Sequence, residues 1–345
     1  MISQLLRVNA NTTSNKYDAF FIHMVFKGMN HIPCRDEFPL AGGHAPGKNF
    51  YSRFRDRKIK HFQRGMHKKQ IFAAMSIIVP DIRQRFQPVQ PTIKDAAGRV
   101  AYHELLPEPR LAPYIYCYWQ LETMQPLTEA FVYRVVADGC IDLFFDVQQP
   151  ADNYIMGFST VYTEFPLPPV FNYIGIRFLP AAFPLLFNID ASALTNRFEH
   201  LGQVLPHLSA GLTRLAQHPA FLANLQQRLD QFFLHILSNT HFHRDGRLFD
   251  AIGIILNARG VLTVERELNS GISPRQLRRL FNFYIGDTPK VFSKVVRFQH
   301  ILHAKPSVES LKKDKLFYDN GYYDQVHFIK EFKTMYGLTP TIALR

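Results

Sequence analysis

Cysteine is scarce in this chain of 345 residues, and the three that occur, Cys34, Cys117 and Cys140, lack the paired spacing of a metal knuckle. That excludes a disulfide framework and a cysteine zinc site, and leaves buried, reduced thiols of a cytoplasmic protein as the expectation. Long apolar runs are also missing. The stretch Ala19–Phe26 is broken by His23 and falls far short of the roughly 20 residues a membrane helix needs, and the extreme N-terminus has no signal-peptide layout. No membrane association is expected. There is no glycine-rich phosphate loop, no Ser/His/Asp order and no defensible pair of catalytic carboxylates, so neither enzymatic chemistry nor a cofactor is expected. His241 and His243 sit close together, but without a nearby carboxylate pair or cysteine they read as polar loop residues, not as a metal clip.

What the chain does have is positive charge, unevenly spread. The net charge is +12. Residues 1–74 hold 13 Lys+Arg against 4 Asp+Glu, residues 75–249 hold 12 against 15, and residues 250–345 hold 15 against 9. The C-terminal excess has the sign required for contact with phosphate, whereas the mildly acidic middle does not.

Two C-terminal stretches read as polar helix-turn-helix units. In the first, Gly271 permits a tight turn, Ser273 is an N-cap and Pro274 occupies the first helical position. Leu277, Leu280, Phe281 and Tyr284 then form a stripe to be buried, while Arg275, Arg278 and Arg279 share another face. In the second, Asp324 is the N-cap and Phe328, Phe332, Met335 and Tyr336 make the stripe, leaving Val326, Ile329, Lys330 and Lys333 outside. Apolar side chains on an exposed face suit thymine methyl groups, as Gln325 and His327 suit base edges. Between the units, Thr288-Pro289 opens and Lys305-Pro306 closes a helix of about sixteen residues, roughly 24 Å long, which would hold the two readers over adjacent major grooves some 34 Å apart.

The ordered series Ser273–Phe281, Gly286-Asp287-Thr288-Pro289-Lys290, Arg297-Phe298, Gly321–Phe332 and Gly337-Leu338-Thr339-Pro340 resembles the AraC/XylS family of bacterial transcription regulators over about one hundred residues. The resemblance implies that Arg275, Arg278 and Arg279 are base-reading residues of the first recognition helix, and Gln325, Val326, His327 and Lys330 those of the second. Lys333, further along, is expected at phosphate. Glu267 and Phe317 stand where the family usually carries a small alanine in each supporting helix, which predicts different packing there.

Upstream, short segments rich in β-branched and aromatic residues, separated by Pro, Gly or Asp turns, predict strands: Tyr102–Pro107, Ile115–Leu121, Phe131–Val136, Cys140–Val147, Tyr154–Phe158 and Tyr173–Phe178. The pattern around Tyr116–Trp119, Ala137–Leu143 and Gly175–Pro180 resembles a sensor-type domain that often precedes this reader. Trp119 and its neighbouring tyrosines are candidates for an apolar pocket or for core. Arg177 either holds an acidic ligand or pairs with Asp138 or Asp142. Leu222–Leu237 is a helical run serving as core, or alternatively as a dimer seam. Residues 1–74 have no sustained periodicity. They read as a non-native extension preceding a start at Met75, a disordered basic arm, or a targeting segment.

The expected fold is therefore α+β and multidomain. A basic extension (1–74) and a lead-in (75–100) precede a β-rich effector or dimerisation domain (101–240), and an all-α DNA-binding domain follows (245–345). The expected function is sequence-specific transcription regulation through double-stranded DNA, with a small-molecule effector, RNA polymerase and a second copy of the chain as further partners. The alternative is an enzyme or DNA-repair protein carrying the same reader; the cysteine-rich zinc site of one such repair class is not supplied by these three cysteines.

Overall fold

A computed structural model describes residues 80–90, 98–240, 245–304, 306 and 321–344. All lie within one compact unit, Met66–Arg345. Residues 1–74, Lys305, Phe317, His241 and His243, together with the readings attached to them, fall outside the described residues.

The N-terminal half is built on an antiparallel sheet. Strands β1 (Val100–Leu105), β2 (Ile115–Thr123), β4 (Ile141–Asp146), β5 (Asn153–Met156), β7 (Asn172–Phe178) and β8 (Phe198–His200) lie in the order β1-β2-β7-β4-β5-β8. Strands β3 (Phe131–Val135) and β6 (Thr163–Leu167) form a separate two-stranded sheet. Six strands fall on the expected segments. The other two lie outside them: β6 carries Pro166, which cannot donate to a ladder and is tolerated only because the two-stranded sheet leaves it an edge, and β8 is three residues long.

The large sheet has two unlike faces because side chains alternate along each strand. Tyr118, Ile176, Leu143 and Ile155 form a dry row on one face. Helices α1 (Ala182–Phe187), α2 (Leu201–Val204), α3 (Pro206–Ala216) and α4 (Leu225–Asn239) follow in sequence. Helix α4 covers the dry face with Leu225, Leu229, Phe233 and Leu237. Its Phe233 packs on Tyr118 and Phe178 with ring centroids 6.4 and 5.7 Å apart. Burial of a side chain of this size stabilises by about 1.5–3 kcal/mol. Leu225, Leu229, Phe233 and Leu237 of the Leu222–Leu237 run are thus spent on core, while Leu222 stays exposed.

The other face carries the cross-strand row Glu104–Trp119–Gly175–Phe144–Tyr154–His200. Gly175 has no side chain because the Trp119 ring occupies the place; a Cβ there would lie 2.0 Å from it. The small sheet lies over this face, with Phe165 of β6 against Phe144 and Phe198.

The C-terminal half is helical: α5 (Gly246–Asn257), α6 (Val264–Glu267), α7 (Pro274–Tyr284), α8 (Pro289–Ala304), α9 (Gln325–Tyr336) and α10 (Pro340–Ala343). The core is continuous from one half to the other. The lead-in segment contributes to it: Ile82 and Phe86 are buried, and Gln90 bonds Val136 and Asp138. Residues 80–90 are therefore a strap across both halves, not only an approach to the first.

Candidate nucleic-acid interface

Helices α7 and α9 start as their cap residues dictate. The Ser273 hydroxyl accepts from the Gln276 N–H at 3.3 Å with Pro274 behind it, and the Asp324 carboxylate accepts from the His327 N–H at 2.7 Å. Both caps satisfy backbone donors that the first helical turn leaves free. On α7, Leu277 and Phe281 are buried, Leu280 and Tyr284 half-buried, and Arg275, Arg278 and Arg279 exposed. On α9, Phe328, Phe332 and Met335 are buried, Tyr336 half-buried, and Gln325, Val326, His327, Lys330 and Lys333 exposed. Among the described residues, no carboxylate pairs with Arg275, Arg278, Arg279, Lys330 or Lys333. Five cations on two helices are left with their donors free for an outside acceptor.

Val326 is 76 % exposed and Tyr323, one residue ahead of the cap, 87 %. Tyr323 lies outside the expected set of contacts, although its position between Tyr322 and the Asp324 cap is a usable signal: Tyr322 is buried, so its neighbour on the turn must face out. His327 is less free than its neighbours. Its ring meets Tyr322 at 5.5 Å and its Nε2 lies 3.8 Å from the Glu331 carboxylate.

Helix α8 spans 16 residues and buries Phe292, Val295, Phe298, Ile301 and Leu302. It also carries the polar anchors of both units. Ser293 donates to the Gly260 carbonyl at 3.0 Å in the first. In the second, Arg297 bonds Glu331 at 2.6 Å and the Gly321 carbonyl at 3.3 Å, and stacks 4.1 Å from the Tyr322 ring. Burial disfavours the guanidinium charge, but Tyr322 and Glu331 outweigh it and raise its pKa further. Glu267 closes the four-residue helix α6. It points to solvent and accepts from the Thr263 N–H, capping its own helix.

The N-terminal half touches both helix-turn-helix units. Thr195 donates to the Gly286 carbonyl at 2.6 Å just beyond α7. Gly286 sits at φ +110°, and a Cβ there would lie 2.6 Å from the Thr195 hydroxyl, so only glycine fits. The last carbonyls of α9 are capped from the same half: Thr334 accepts from the Tyr162 N–H and Met335 from the Ala137 N–H, both at 3.2 Å. The Gln299 side chain on α8 bonds Val89 of the strap and the Ala137 carbonyl.

Arg177 is paired, as one of its two readings expected. It meets Asp142 at 3.0 Å and Asp138 at 3.6 Å, and Trp119 donates to Asp142 at 3.1 Å. Burial pushes the Asp142 carboxyl up to about 6 although Arg177 opposes the shift. Two carboxylates already pair with the guanidinium through Nε and Nη2, while its buried Nη1 makes no hydrogen bond. Cys117 and Cys140 are buried thiols whose pKa burial raises.

Residues 269–345 match a family described as a helix-turn-helix domain, and residues 103–200 match a domain of unknown function (DUF6597). None of the curated proteins matches the chain. Solved structures of ToxT from Vibrio cholerae are distantly similar. The protein from strain O395 is 10% identical, covers 71% of this chain and 96% of its own, and has a TM-score of 0.30. A second ToxT structure gives 12%, 71%, 97% and 0.31. Unsaturated-fatty-acid-bound ToxT from strain SCE256 gives 10%, 71%, 94% and 0.29. Likenesses this loose say nothing about contacts or ligands in this chain.

Proposed function

We propose that the chain, whose residues 269–345 match a helix-turn-helix domain family, is a DNA-binding regulator of the AraC/XylS type that reads a bipartite operator through α7 and α9 in two adjacent major grooves, under the control of a small-molecule effector. The observation that carries the reading is the pair of capped helices whose exposed cations lack carboxylate partners among the described residues, joined by the buried helix α8. On this reading Arg275, Arg278 and Arg279 read one half-site, and Gln325, Val326, His327 and Lys330 the other. Val326 and Tyr323 supply apolar contact to thymine methyl groups, and Lys333 lies at phosphate.

Effector control is supported by the docking of the N-terminal half on both units. The contacts through Gly286, Thr334 and Met335 bear on the ends of the two recognition helices. A ligand that binds better when those contacts are made shifts the readers toward that arrangement, and one that binds better when they are broken does the reverse. The domain boundaries follow the same logic, with residues 101–240 as the responsive part and 245–345 as the reader.

Selection of bound sequences from a random duplex pool with the full chain tests the proposal. Two conserved half-sites with centres about one helical turn apart are expected. Enrichment of a single short site, or of none, would refute reading by two helices.

A further inference from the structure

Between the strap and the reader lies a cleft of about 310 Å³, lined by Gln84–Gln87, by Leu256, Asn257 and Arg259 at the end of α5, and by Val296, Gln299, His300 and His303 of α8. Its charged and titratable lining is Arg85, Arg259, His300 and His303, with no carboxylate among them. Arg85 has a neutral partner, the Asn257 side-chain oxygen at 3.3 Å, and neither arginine makes an ion pair with a described residue. Arg259 stands at φ +52°, a backbone region that a branched or bulky residue rarely occupies. It is fixed there by the turn into Gly260, whose Cα faces the Ser293 carbonyl too closely for a Cβ. This left-handed turn closes α5, with the Gly260 N–H on the Ile255 carbonyl at 2.9 Å, and leaves Arg259 in the cleft lining.

We propose that this cleft binds a small, multiply charged anion, a phosphorylated or polycarboxylate metabolite, whose oxygens bridge Arg85 of the strap to Arg259 and His300 of the reader. The volume falls at the lower end for small-molecule sites. Guanidiniums suit bidentate capture of phosphate or carboxylate, and without an anion their charges face only one another and two imidazoles. Burial and the neighbouring Arg259 and His303 lower the His300 pKa, and a bound anion would oppose that. Protonation of His300 therefore strengthens binding as the pH falls. The site also has leverage: Gln299, in the same lining, clamps Val89 and Ala137, and the Ala137 N–H caps α9. An anion that fastens the strap to α8 reinforces this clamp. Such an anion is an effector class for the regulator, and in that role it rests on the effector control proposed for the N-terminal half.

Binding of inorganic pyrophosphate to the full-length protein, measured by calorimetry without DNA at constant ionic strength set with chloride, is the test. Saturable binding of one anion per chain is expected, tighter at pH 6 than at pH 8. Loss of one of the two guanidiniums, in Arg85→Gln or Arg259→Gln, should weaken it about tenfold. Arg259→Lys should recover part of the loss, and circular dichroism and melting of each variant verify the fold. No saturable binding, or binding unchanged by both substitutions, overturns the proposal. So does the remaining source of phosphate, the DNA backbone: if pyrophosphate does not bind while Arg259→Gln lowers the salt slope of DNA binding, the cleft is a backbone contact. Because binding is read without DNA, failure here leaves the two-helix reading of the operator standing, and failure of the operator selection leaves the cleft standing.

Discussion

The first helix-turn-helix unit presents three guanidiniums on α7, whereas the second presents an amide, a valine, an imidazole and two ammoniums on α9. Their supports differ as well. Helix α7 has one modest polar anchor behind it, Ser293 on the Gly260 carbonyl, and its end is fixed from the N-terminal half through Thr195 and Gly286. Helix α9 is held by the buried Arg297–Glu331 pair, with Lys294 3.4 Å from the same carboxylate, and is capped through main-chain groups. One unit is rich in charge and held by fit; the other is chemically mixed and held by charge. A dense guanidinium face tolerates small errors of placement because its attraction is long-ranged, but contact with a methyl group or an adenine edge needs an accurately placed helix.

The largest effect should come from breaking the support of the second unit. Arg297→Ala leaves Glu331 buried with only the half-exposed Lys294 and with His327 for company. A loss of about 3–5 kcal/mol is expected when one partner of a buried pair is removed. Denaturant unfolding should register it in full, and footprints should lose the half-site read by α9 before the other. Stability within about 0.5 kcal/mol of the parent, the range of ordinary surface changes, would show that α9 does not depend on this pair.

Much of this contrast can be read from the residues, and the part that cannot has a physical reason. Caps and stripes are local, so Ser273-Pro274, Asp324 and the Leu277/Phe281 and Phe328/Phe332 pairs declare both helices. The same holds for strands such as Ile115–Thr123, which Ile115, Tyr116, Tyr118 and Trp119 declare by their type. Arg297, by contrast, is one more basic residue in a basic segment; only the tertiary fold brings it under Tyr322 and against Glu331, thirty-four positions away. The docking contacts are more hidden still, because Ala137, Tyr162, Thr334 and Met335 act through backbone groups that every residue type but proline carries.

A smaller effect, without loss of fold, should come from the reading faces themselves. Each bidentate arginine–guanine contact is worth about 1–3 kcal/mol of discrimination. Arg278→Ala or Arg279→Ala should therefore relax base preference in one half of the operator, and Gln325→Ala or Lys330→Ala in the other, about one helical turn away. Footprinting the four variants on one operator sharpens the comparison. If every position kept its preference, the assigned faces would be wrong. If only the arginine pair mattered, α9 would serve to position the domain instead of reading it.

The smallest effect concerns Lys333, on the exposed side of α9 and nearly two turns beyond Val326 along the helix, toward the end that the N-terminal half caps. A side chain there is carried away from the base edges that the helix start approaches, so its ammonium is placed for the sugar-phosphate backbone. Backbone contacts add affinity without sequence information, and each one releases condensed counterion on binding. Lys333→Ala should then weaken specific and nonspecific duplexes by the same factor and lower the slope of log affinity against log salt by about one unit. Binding titrations over a range of salt on the operator and on a scrambled duplex measure both quantities. Equal loss with a reduced slope separates Lys333 from Lys330 on the same helix. A change of preference at one base with the slope intact would instead move Lys333 into the groove and lengthen the reading face of α9 by a turn.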